Sequence, residues 1–117
     1  MILAGHGSRA RGFAASMKKV AADLSREMGT PVVCAYLEIA KPSIAEAVDR
    51  CVAKGAREVR VLPYFVLSGR HVKSHFPEII AQARRKHARR AEIILCPYLG
   101  YDKRLVQLAK QRILEAS

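Results

Sequence analysis

The stretch ILAGHGSRA, residues 2–10, sets the organisation of the whole chain. Its first residues, 2–4, are apolar and predict a short buried strand that stops at a turn of Gly, His, Gly and Ser. Beyond the turn, apolar residues recur every three or four positions over residues 11–28, which predicts an amphipathic helix. The chain therefore opens with a strand, a glycine-rich turn and a helix.

The same unit recurs to the end of the chain. Further strands are predicted at 32–37, 58–66 and 92–96, and further helices at 43–54, 77–89 and 102–115. The strands are apolar on both faces, as in a buried parallel sheet. Alternation with short connections implies right-handed crossovers and helices on both faces. The sequence therefore predicts a single α/β domain over residues 1–117, with a four-stranded parallel sheet in three α/β/α layers.

Composition narrows the class of protein. The longest apolar run, VLPYFVL at 61–67, is far shorter than the roughly 18–20 residues that span a bilayer. The first residues lack a secretory pattern, so we expect a cytoplasmic protein. Cys34, Cys51 and Cys96 are widely spaced, form no CxxC motif and are expected to be buried apolar residues.

Charge points to an anionic partner. The chain has 21 Lys and Arg against 10 Asp and Glu, a formal net charge of +11, and such a field attracts nucleic acid, a polycarboxylate or a phosphorylated small molecule. The densest basic run, RRKHARR at 84–90, reads as the solvated face of a helix, with His87 exposed in it. It has no interleaved aromatic residues, and the chain has no zinc-finger, KH or RNP motif. A basic nucleic-acid-binding module remains an alternative.

Three ionisable residues follow the predicted strands. His6 comes after the first strand, Glu38 after the second and His71 after the third. The carboxyl ends of parallel strands meet at one edge of the sheet, which is where such folds bind ligands. Imidazole and carboxylate groups together suit Co, Ni, Fe or Zn divalent ions, and they could equally move protons. The set is therefore predicted as a metal or acid–base site, with Gly5, Gly7 and Gly69 giving a ligand close access to the backbone.

The turn at Gly5–Ser8 has other interpretations. A glycine-rich strand-to-helix turn can hold phosphate on helix N-terminal amides. His6 could also carry a phosphoryl group, as in histidine phosphatases, but those enzymes place an arginine directly before the histidine, where this chain has Gly5. Ser8 does not lie in a G-x-S-x-G elbow, and the turn matches neither nucleotide-binding glycine motif.

More candidates border the same edge. His75 lies four residues after His71, so the two would share a face if the segment were helical; Pro77 makes a loop leading into a helix an equal expectation. His75 is therefore a weaker candidate metal or substrate residue. The candidates for binding substrate are Ser8, Arg9, Arg70 and Lys73. Arginine is suited to this role because it holds carboxylates in a bidentate manner.

Four motifs in order resemble the small-form sirohydrochlorin chelatases of the CbiX type. They are GHGSR after the first strand, YLE…KPSI after the second, VLPYFVLSGRHV…FPEI around the third and CPYLGYD after the fourth. The resemblance covers nearly the full chain. It implies a class II chelatase fold with flavodoxin-like strand order, in which this chain corresponds to one half of the longer two-domain relatives and pairs as a homodimer.

The resemblance also implies an activity. It is the ATP-independent insertion of a divalent metal, Co²⁺ first and otherwise Fe²⁺ or Ni²⁺, into sirohydrochlorin in cobalamin, sirohaem or nickel-cofactor synthesis. The family's metal and catalytic positions fall on His6 and His71, with Glu38 as the acidic position, and no organic cofactor is implied. His75 departs from the family pattern, where this position is often acidic. Sirohydrochlorin is a flat polycarboxylate, which agrees with the basic charge of the chain.

Overall fold

A four-stranded parallel sheet forms the centre of the computed structural model, which describes residues 1–116. The elements, in chain order, are β1 (Ile2–Gly5), α1 (Phe13–Met28), β2 (Val33–Tyr36), α2 (Ile44–Ala53), β3 (Glu58–Pro63), a π-helix (His71–His75), α3 (Phe76–His87), β4 (Glu92–Leu95) and α4 (Lys103–Glu115). The predicted alternation of strands and helices is confirmed, with one extra helical turn before α3.

The strand order is β2-β1-β3-β4, and every neighbouring pair is parallel. This order matches the flavodoxin-like expectation. The chain crosses from β1 to β2 on one side and then returns past β1 to β3 on the other, so β1 is the strand at which the direction of winding changes. Ligand crevices in open α/β sheets lie at the carboxyl end of such a switch strand. The residues that follow β1 are therefore the first place to look for a site.

Two apolar clusters hold the sheet. On one face, α2 and α3 pack Val48, Phe76 and Ile80 against β-strand residues such as Val61, all at most 1% exposed. On the other face, α1 packs Met17 and Ala21 against Leu3. Helix α2 is also stabilised at its start, where Ser43 and Glu46 form a reciprocal capping box. Such a box satisfies free backbone N–H groups.

Helix α4 differs from the others. Asp102 caps it as predicted, accepting a hydrogen bond from the Arg104 N–H. Its periodic apolar residues, however, bury nothing: no residue of α4 is buried. The radius of gyration is 15.2 Å, against about 13 Å for a compact domain of this length. The longest dimension is 55 Å and the others are 30 and 28 Å, so α4 extends from the body of the domain.

Several predicted boundaries move. β3 ends at Pro63 rather than 66, because Phe65 turns back to hydrogen-bond the Pro63 carbonyl. Helix α1 begins at Phe13 rather than 11, because Gly12 precedes it with a left-handed φ of 85°. The segment before Pro77 is helical rather than a loop, since residues 71–75 form the π-helix. Pro77 lies in the first turn of α3, where its missing N–H is not needed.

The predicted burial is wrong at four polar or sulfur-bearing residues. His87 is not solvated; it is 8% exposed. Cys34, Cys51 and Cys96 are half-buried rather than buried. Desolvation raises the pKa of the Cys34 and Cys96 thiols, which keeps these groups in the less reactive protonated form near neutral pH. Within residues 1–116, no helix has the length and apolar character that crossing a membrane requires.

Candidate metal centre

The site begins where β1 and β2 end. Past the last paired residues of the two strands, the Leu37 N–H donates to the Gly5 carbonyl and the Glu38 N–H donates to the His6 carbonyl, each at 3.0 Å. Backbone hydrogen bonding between the two segments therefore continues beyond the strands. It carries His6 and Glu38 to the carboxyl edge of the sheet side by side.

Gly7 permits this close approach. Its φ is +107°, and a Cβ built there would lie 1.8 Å from the Glu38 carbonyl oxygen. A side chain at this position would collide with backbone, so the glycine is required by packing within the protein. Gly5 is similar but less severe, since a Cβ would lie 2.9 Å from Cε of Met17. The space at both glycines is occupied by the chain itself, whereas a Cβ at Gly69 would meet open space.

The imidazole of His6 faces the carboxylate of Glu38. Its Nδ1 lies 3.1 Å from the Gly7 carbonyl, and because a carbonyl only accepts, this nitrogen carries a hydrogen when the bond forms. Its Nε2 lies 2.7 Å from Glu38 Oε1. The side chains are 42% and 57% exposed, so both groups are accessible from solvent.

His71 completes the cluster from the π-helix. Its ring lies edge-on to the ring of His6, with centroids 5.1 Å apart. One ligand atom from each of His6, Glu38 and His71 lies within 4.8 Å of the others. A first-row divalent ion binds such atoms at about 2.0–2.2 Å, so small side-chain rotations would allow all three to hold one ion. The structure brings together all three residues that the sequence singled out at this edge.

His75 lies behind His71 rather than in the cluster. The two Nδ1 atoms are 3.1 Å apart, and the ring centroids 5.4 Å. One nitrogen donates and the other accepts in such a bond, so the pair fixes the tautomers of both rings relative to each other. The other candidates are more peripheral: Arg9, Arg70 and Lys73 are exposed, and Ser8 Oγ accepts a hydrogen bond from the Ala10 N–H at 2.9 Å within the turn.

An apolar rim at the carboxyl edge was not predicted from the sequence. Large exposed apolar residues follow three of the strands at the carboxyl edge; they are Ile39, Tyr64, Val66, Leu67, Leu99 and Tyr101. Leu67 is 79% exposed and Tyr101 is 83% exposed. Exposed apolar groups gathered at one edge are typical of a ligand-binding surface. Their position directly after strand ends was a usable signal.

Ile39 stands out within the rim. It is a β-branched residue with a φ of +73°, a region that is costly for any residue except glycine. The Ala40 N–H donates to the Glu38 carbonyl at 2.8 Å and closes a tight turn around Ile39. Strained backbone of this kind is concentrated at functional sites. Here it lies immediately after a candidate metal ligand.

A second polar cluster, between α2 and α3, was also not predicted from the sequence. His87 Nε2 lies 2.7 Å from Asp49 Oδ1, and Lys86 Nζ lies 2.9 Å from Asp49 Oδ2, joining α3 to α2. Hydrogen bonds first from Lys86 and then from His87 hold the pKa of Asp49 below its usual range, against the opposing effect of desolvation. These contacts are structural ties between helices, and they explain why His87 is buried within a basic run.

The structure argues against the phosphate-binding interpretation of the turn. A phosphate cradle requires the turn to lead directly into a helix N-terminus. Here α1 begins only at Phe13, after Gly12, and is therefore separated from His6 by the rest of the loop. Gly5 occupies the position where a histidine phosphatase would have arginine.

Comparisons with known proteins find relatives along nearly the whole chain. The model of the CbiX family matches residues 1–116. The chain is 32% identical to the chloroplastic sirohydrochlorin ferrochelatase of Arabidopsis thaliana, over 97% of this chain and 50% of that protein. It is 30% identical to the sirohydrochlorin cobaltochelatase of Sulfolobus acidocaldarius, over 99% of this chain and 90% of that protein.

A solved structure shows the same fold. The sirohydrochlorin chelatase SirB of Bacillus subtilis subspecies spizizenii, in complex with cobalt, superposes with a TM-score of 0.88 at 26% identity. The match covers 98% of this chain and 49% of that one. The chain thus spans about half the length of the plant and Bacillus relatives and nearly the whole length of the archaeal one.

Proposed function

Because the chain belongs to the CbiX family, we propose that it inserts a divalent metal ion into sirohydrochlorin without ATP. Co²⁺ is the first candidate for the ion, and Fe²⁺ and Ni²⁺ are the others; the ion is a substrate, and no organic cofactor takes part. The observation that carries the proposal is the convergence of His6, Glu38 and His71 within 4.8 Å at the carboxyl edge, beside the apolar rim. Relatives of this chain are named as cobaltochelatases and ferrochelatases of this macrocycle.

The donor set suits the incoming ion. Two imidazoles and a carboxylate form a mixed nitrogen and oxygen site that accepts several first-row divalent ions. In the absence of metal, His6 Nε2 and Glu38 Oε1 face each other at 2.7 Å, so an arriving ion takes the place of the hydrogen between them. His6 and Glu38 are 42% and 57% exposed, so the site is open to an approaching macrocycle.

The same residues then serve as bases. Insertion replaces the pyrrole N–H protons of the macrocycle with the metal. As the ion moves to the pyrrole nitrogens, the lone pairs of His6, His71 and Glu38 become free, and these groups accept the departing protons. Histidine is suited to this exchange because its proton affinity lies near neutral pH.

The surroundings fit a flat, acidic substrate. The apolar rim would contact the faces and methyl-bearing edges of the ring. Arg9 and Arg70, both exposed, would bind peripheral carboxylates in a bidentate manner, with Lys73, Ser8 and the backbone at Gly69 as further contacts. Gly5 and Gly7 are buried, so they shape the site through packing rather than by touching the substrate. We assign His75 to support of His71 through their Nδ1 atoms rather than to direct metal binding.

The proposal extends to the assembly. Residues 1–117 form one chelatase-like domain that corresponds to half of the longer relatives, and two copies pair as a homodimer. Neither a histidine phosphatase nor a nucleic-acid-binding module is favoured: the first lacks its arginine, and in the basic run His87 is buried and Arg84 Nε donates to the Ile93 carbonyl.

An anaerobic optical assay tests the activity. Sirohydrochlorin is mixed with Co²⁺, Ni²⁺ or Fe²⁺, with and without the protein, and the absorbance change of the macrocycle gives the rate of insertion. We expect acceleration above the uncatalysed rate with at least one ion, and no requirement for ATP. If no ion gives acceleration, the proposed reaction is wrong.

A further inference from the structure

Ile39 adopts a backbone conformation that is costly for its residue type. Within residues 1–116 it is the one non-glycine residue with a positive φ, at 73°. The Ala40 N–H donates to the Glu38 carbonyl at 2.8 Å across it. A hydrogen bond that encloses one residue forms a γ-turn, and the form with a positive central φ is rare and strained. The β-branched side chain of isoleucine adds to this strain, because its Cβ crowds the backbone there.

Contacts on both sides of the turn hold it in place. The Glu38 carbonyl oxygen lies against Gly7, where an added Cβ would come within 1.8 Å of it. Ala40 packs against the apolar cluster beneath α1. The Tyr36 N–H donates to the Pro42 carbonyl at 3.0 Å and closes the base of the loop. The surroundings therefore impose the strained conformation on the residue at the centre of the turn.

Nothing in these contacts requires an isoleucine. Glycine adopts a positive φ without steric cost, and asparagine adopts it more readily than a β-branched residue does. The Ile39 side chain makes no compensating contact inside the domain: it is 55% exposed, and it belongs neither to the two apolar clusters nor to the partly buried residues packed against them. An apolar contact with a molecule outside the domain would offset the strain.

The position of the side chain indicates what that molecule is. Ile39 belongs to the apolar rim and directly follows Glu38, whose Oε1 lies 2.7 Å from His6 Nε2 in the candidate metal cluster. A molecule that covers Ile39 therefore lies beside the ion, as a flat macrocycle must when it receives the metal. The turn fixes the backbone between the ring contact and the metal ligand, so the two are held at a set separation.

We infer that Ile39 is the residue of the rim that positions the substrate: its side chain contacts the apolar face of the macrocycle beside Glu38, and the strain in its turn is the cost of presenting it there. This inference rests on the proposed function and assigns to one side chain a contact that the rim as a whole leaves unspecified. It also predicts an unusual pattern, in which removal of the side chain weakens substrate binding without weakening the fold.

Two substitutions at Ile39 remove the strain in different ways. Ile39→Gly removes the side chain, and Ile39→Asn replaces it with a polar one that restricts the backbone more than glycine does. For both we expect an unchanged or higher urea midpoint and an unchanged affinity for Co²⁺. The Kd for metal-free sirohydrochlorin should rise about 10-fold, because about half of the apolar surface of an isoleucine is no longer buried. Ile39→Val keeps an apolar β-branched side chain, and its Kd should stay within about threefold.

Val33→Gly is the matched control. Val33 is also β-branched and is 41% exposed, but it lies at the first residue of β2, at the opposite end of that strand from Glu38. Glycine destabilises a strand, so this variant should have a lower urea midpoint and an unchanged Kd for the macrocycle. A merely structural role for Ile39 predicts instead that Ile39→Gly lowers the urea midpoint as Val33→Gly does.

Titration of sirohydrochlorin with the protein, anaerobically and without metal ion, gives the Kd from the fluorescence of the macrocycle. A Kd that is unchanged in both Ile39→Gly and Ile39→Asn overturns the inference and retains the proposed reaction, as does a change of sedimentation with no change of Kd, which would place a second copy of the chain on Ile39. A higher Kd in both variants, with no metal insertion by the unchanged protein, supports the contact and rejects the reaction. Failure of the unchanged protein to bind sirohydrochlorin overturns both.

Discussion

His6 and Glu38 are joined twice, once through their backbones and once through their side chains. The Glu38 N–H donates to the His6 carbonyl at 3.0 Å, and His6 Nε2 lies 2.7 Å from Glu38 Oε1. The first contact lies just past the end of the β1–β2 pairing, and the second joins two members of the candidate metal cluster. The relative position of His6 and Glu38 is therefore set by the backbone that leaves the two paired strands.

Removal of any ligand should weaken metal binding and insertion. In His6→Ala, His71→Ala and Glu38→Ala we expect the insertion rate to fall by about 100-fold or more, because each variant loses a metal ligand and a proton acceptor, and general acid–base groups alone contribute about 10²–10⁴-fold. Anaerobic absorbance gives the rate, and titration with Co²⁺ gives the affinity.

The exposed carboxylate Glu27 on α1 provides the control. Glu27→Ala should insert metal at the rate of the unchanged protein, and all variants should retain the same far-ultraviolet circular dichroism. Full activity in both histidine variants would show that the reaction takes place elsewhere.

Replacement of Gly7 should disturb the fold and the site together. In Gly7→Ala the added Cβ meets the Glu38 carbonyl, 1.8 Å away before any shift, so the backbone that carries Glu38 must move. We expect a loss in the free energy of unfolding of about 3 kcal/mol or more, together with weaker Co²⁺ binding. Urea denaturation and metal titration measure the two effects.

Gly12 supplies a matched comparison. It also has a positive φ, +85°, but a Cβ there would meet nothing within 4 Å. Gly12→Ala should therefore cost only the backbone strain, about 1–2 kcal/mol, and leave metal affinity unchanged. Equal losses in the two variants would mean that contact with Glu38 is not the reason for Gly7.

The contact between Asp49 and His87 should make the free energy of unfolding depend on pH in the acid range. The pKa of Asp49 is lowered in the folded protein, chiefly by the hydrogen bond from Lys86, so the unfolded chain takes up a proton first as the pH falls. The stabilisation is therefore complete above about pH 4 and is lost as the pH falls through the folded pKa. Urea denaturation at pH 7 and pH 3 should show this loss, and Asp49→Asn should reduce it.

Two variants at Asp49 separate charge from hydrogen bonding. Asp49→Asn keeps an acceptor for His87, whereas Asp49→Ala leaves the buried imidazole unpartnered, and we expect the alanine variant to lose about 1–3 kcal/mol at pH 7. Asp23→Ala, in an exposed pair on α1, should lose much less, because exposed ion pairs contribute little to stability. If Asp49→Ala and Asp49→Asn unfold alike at both pH values, the tie to His87 contributes nothing to stability.

His75 should control metal binding through His71. Loss of a hydrogen bond to a ligating histidine commonly costs about 10–100-fold in metal affinity, and we expect this loss in His75→Phe. His75→Asn retains a hydrogen-bonding group and should recover part of the affinity. The visible absorption of bound Co²⁺ should keep the same ligand signature in both variants; loss of a nitrogen ligand from that spectrum would instead identify His75 as a direct ligand.

The sequence predicts the site better than it predicts the burial of individual side chains. His6 and Glu38 can be placed because they follow β1 and β2 within two residues, and His71 because it lies in the connection after β3; parallel strands end at one edge. The burial of His87 cannot be predicted in this way, because its partner Asp49 lies on another helix and His87 itself lies in a basic run. The free state of α4 is also hidden from the sequence, since an apolar stripe indicates that a surface is buried and does not say by which chain.

The cluster combines supports of unequal stiffness, and this bears on ion size. His6 and Glu38 directly follow two paired strands, whereas His71 lies on a π-helix, a hydrogen-bonding pattern that is rare. A small rotation of that turn changes the distance of His71 from the other two ligands without disturbing the sheet. Cobalt, nickel and iron ions differ little in radius, so we expect the proposed site to accept each of them, as mixed nitrogen and oxygen sites generally do.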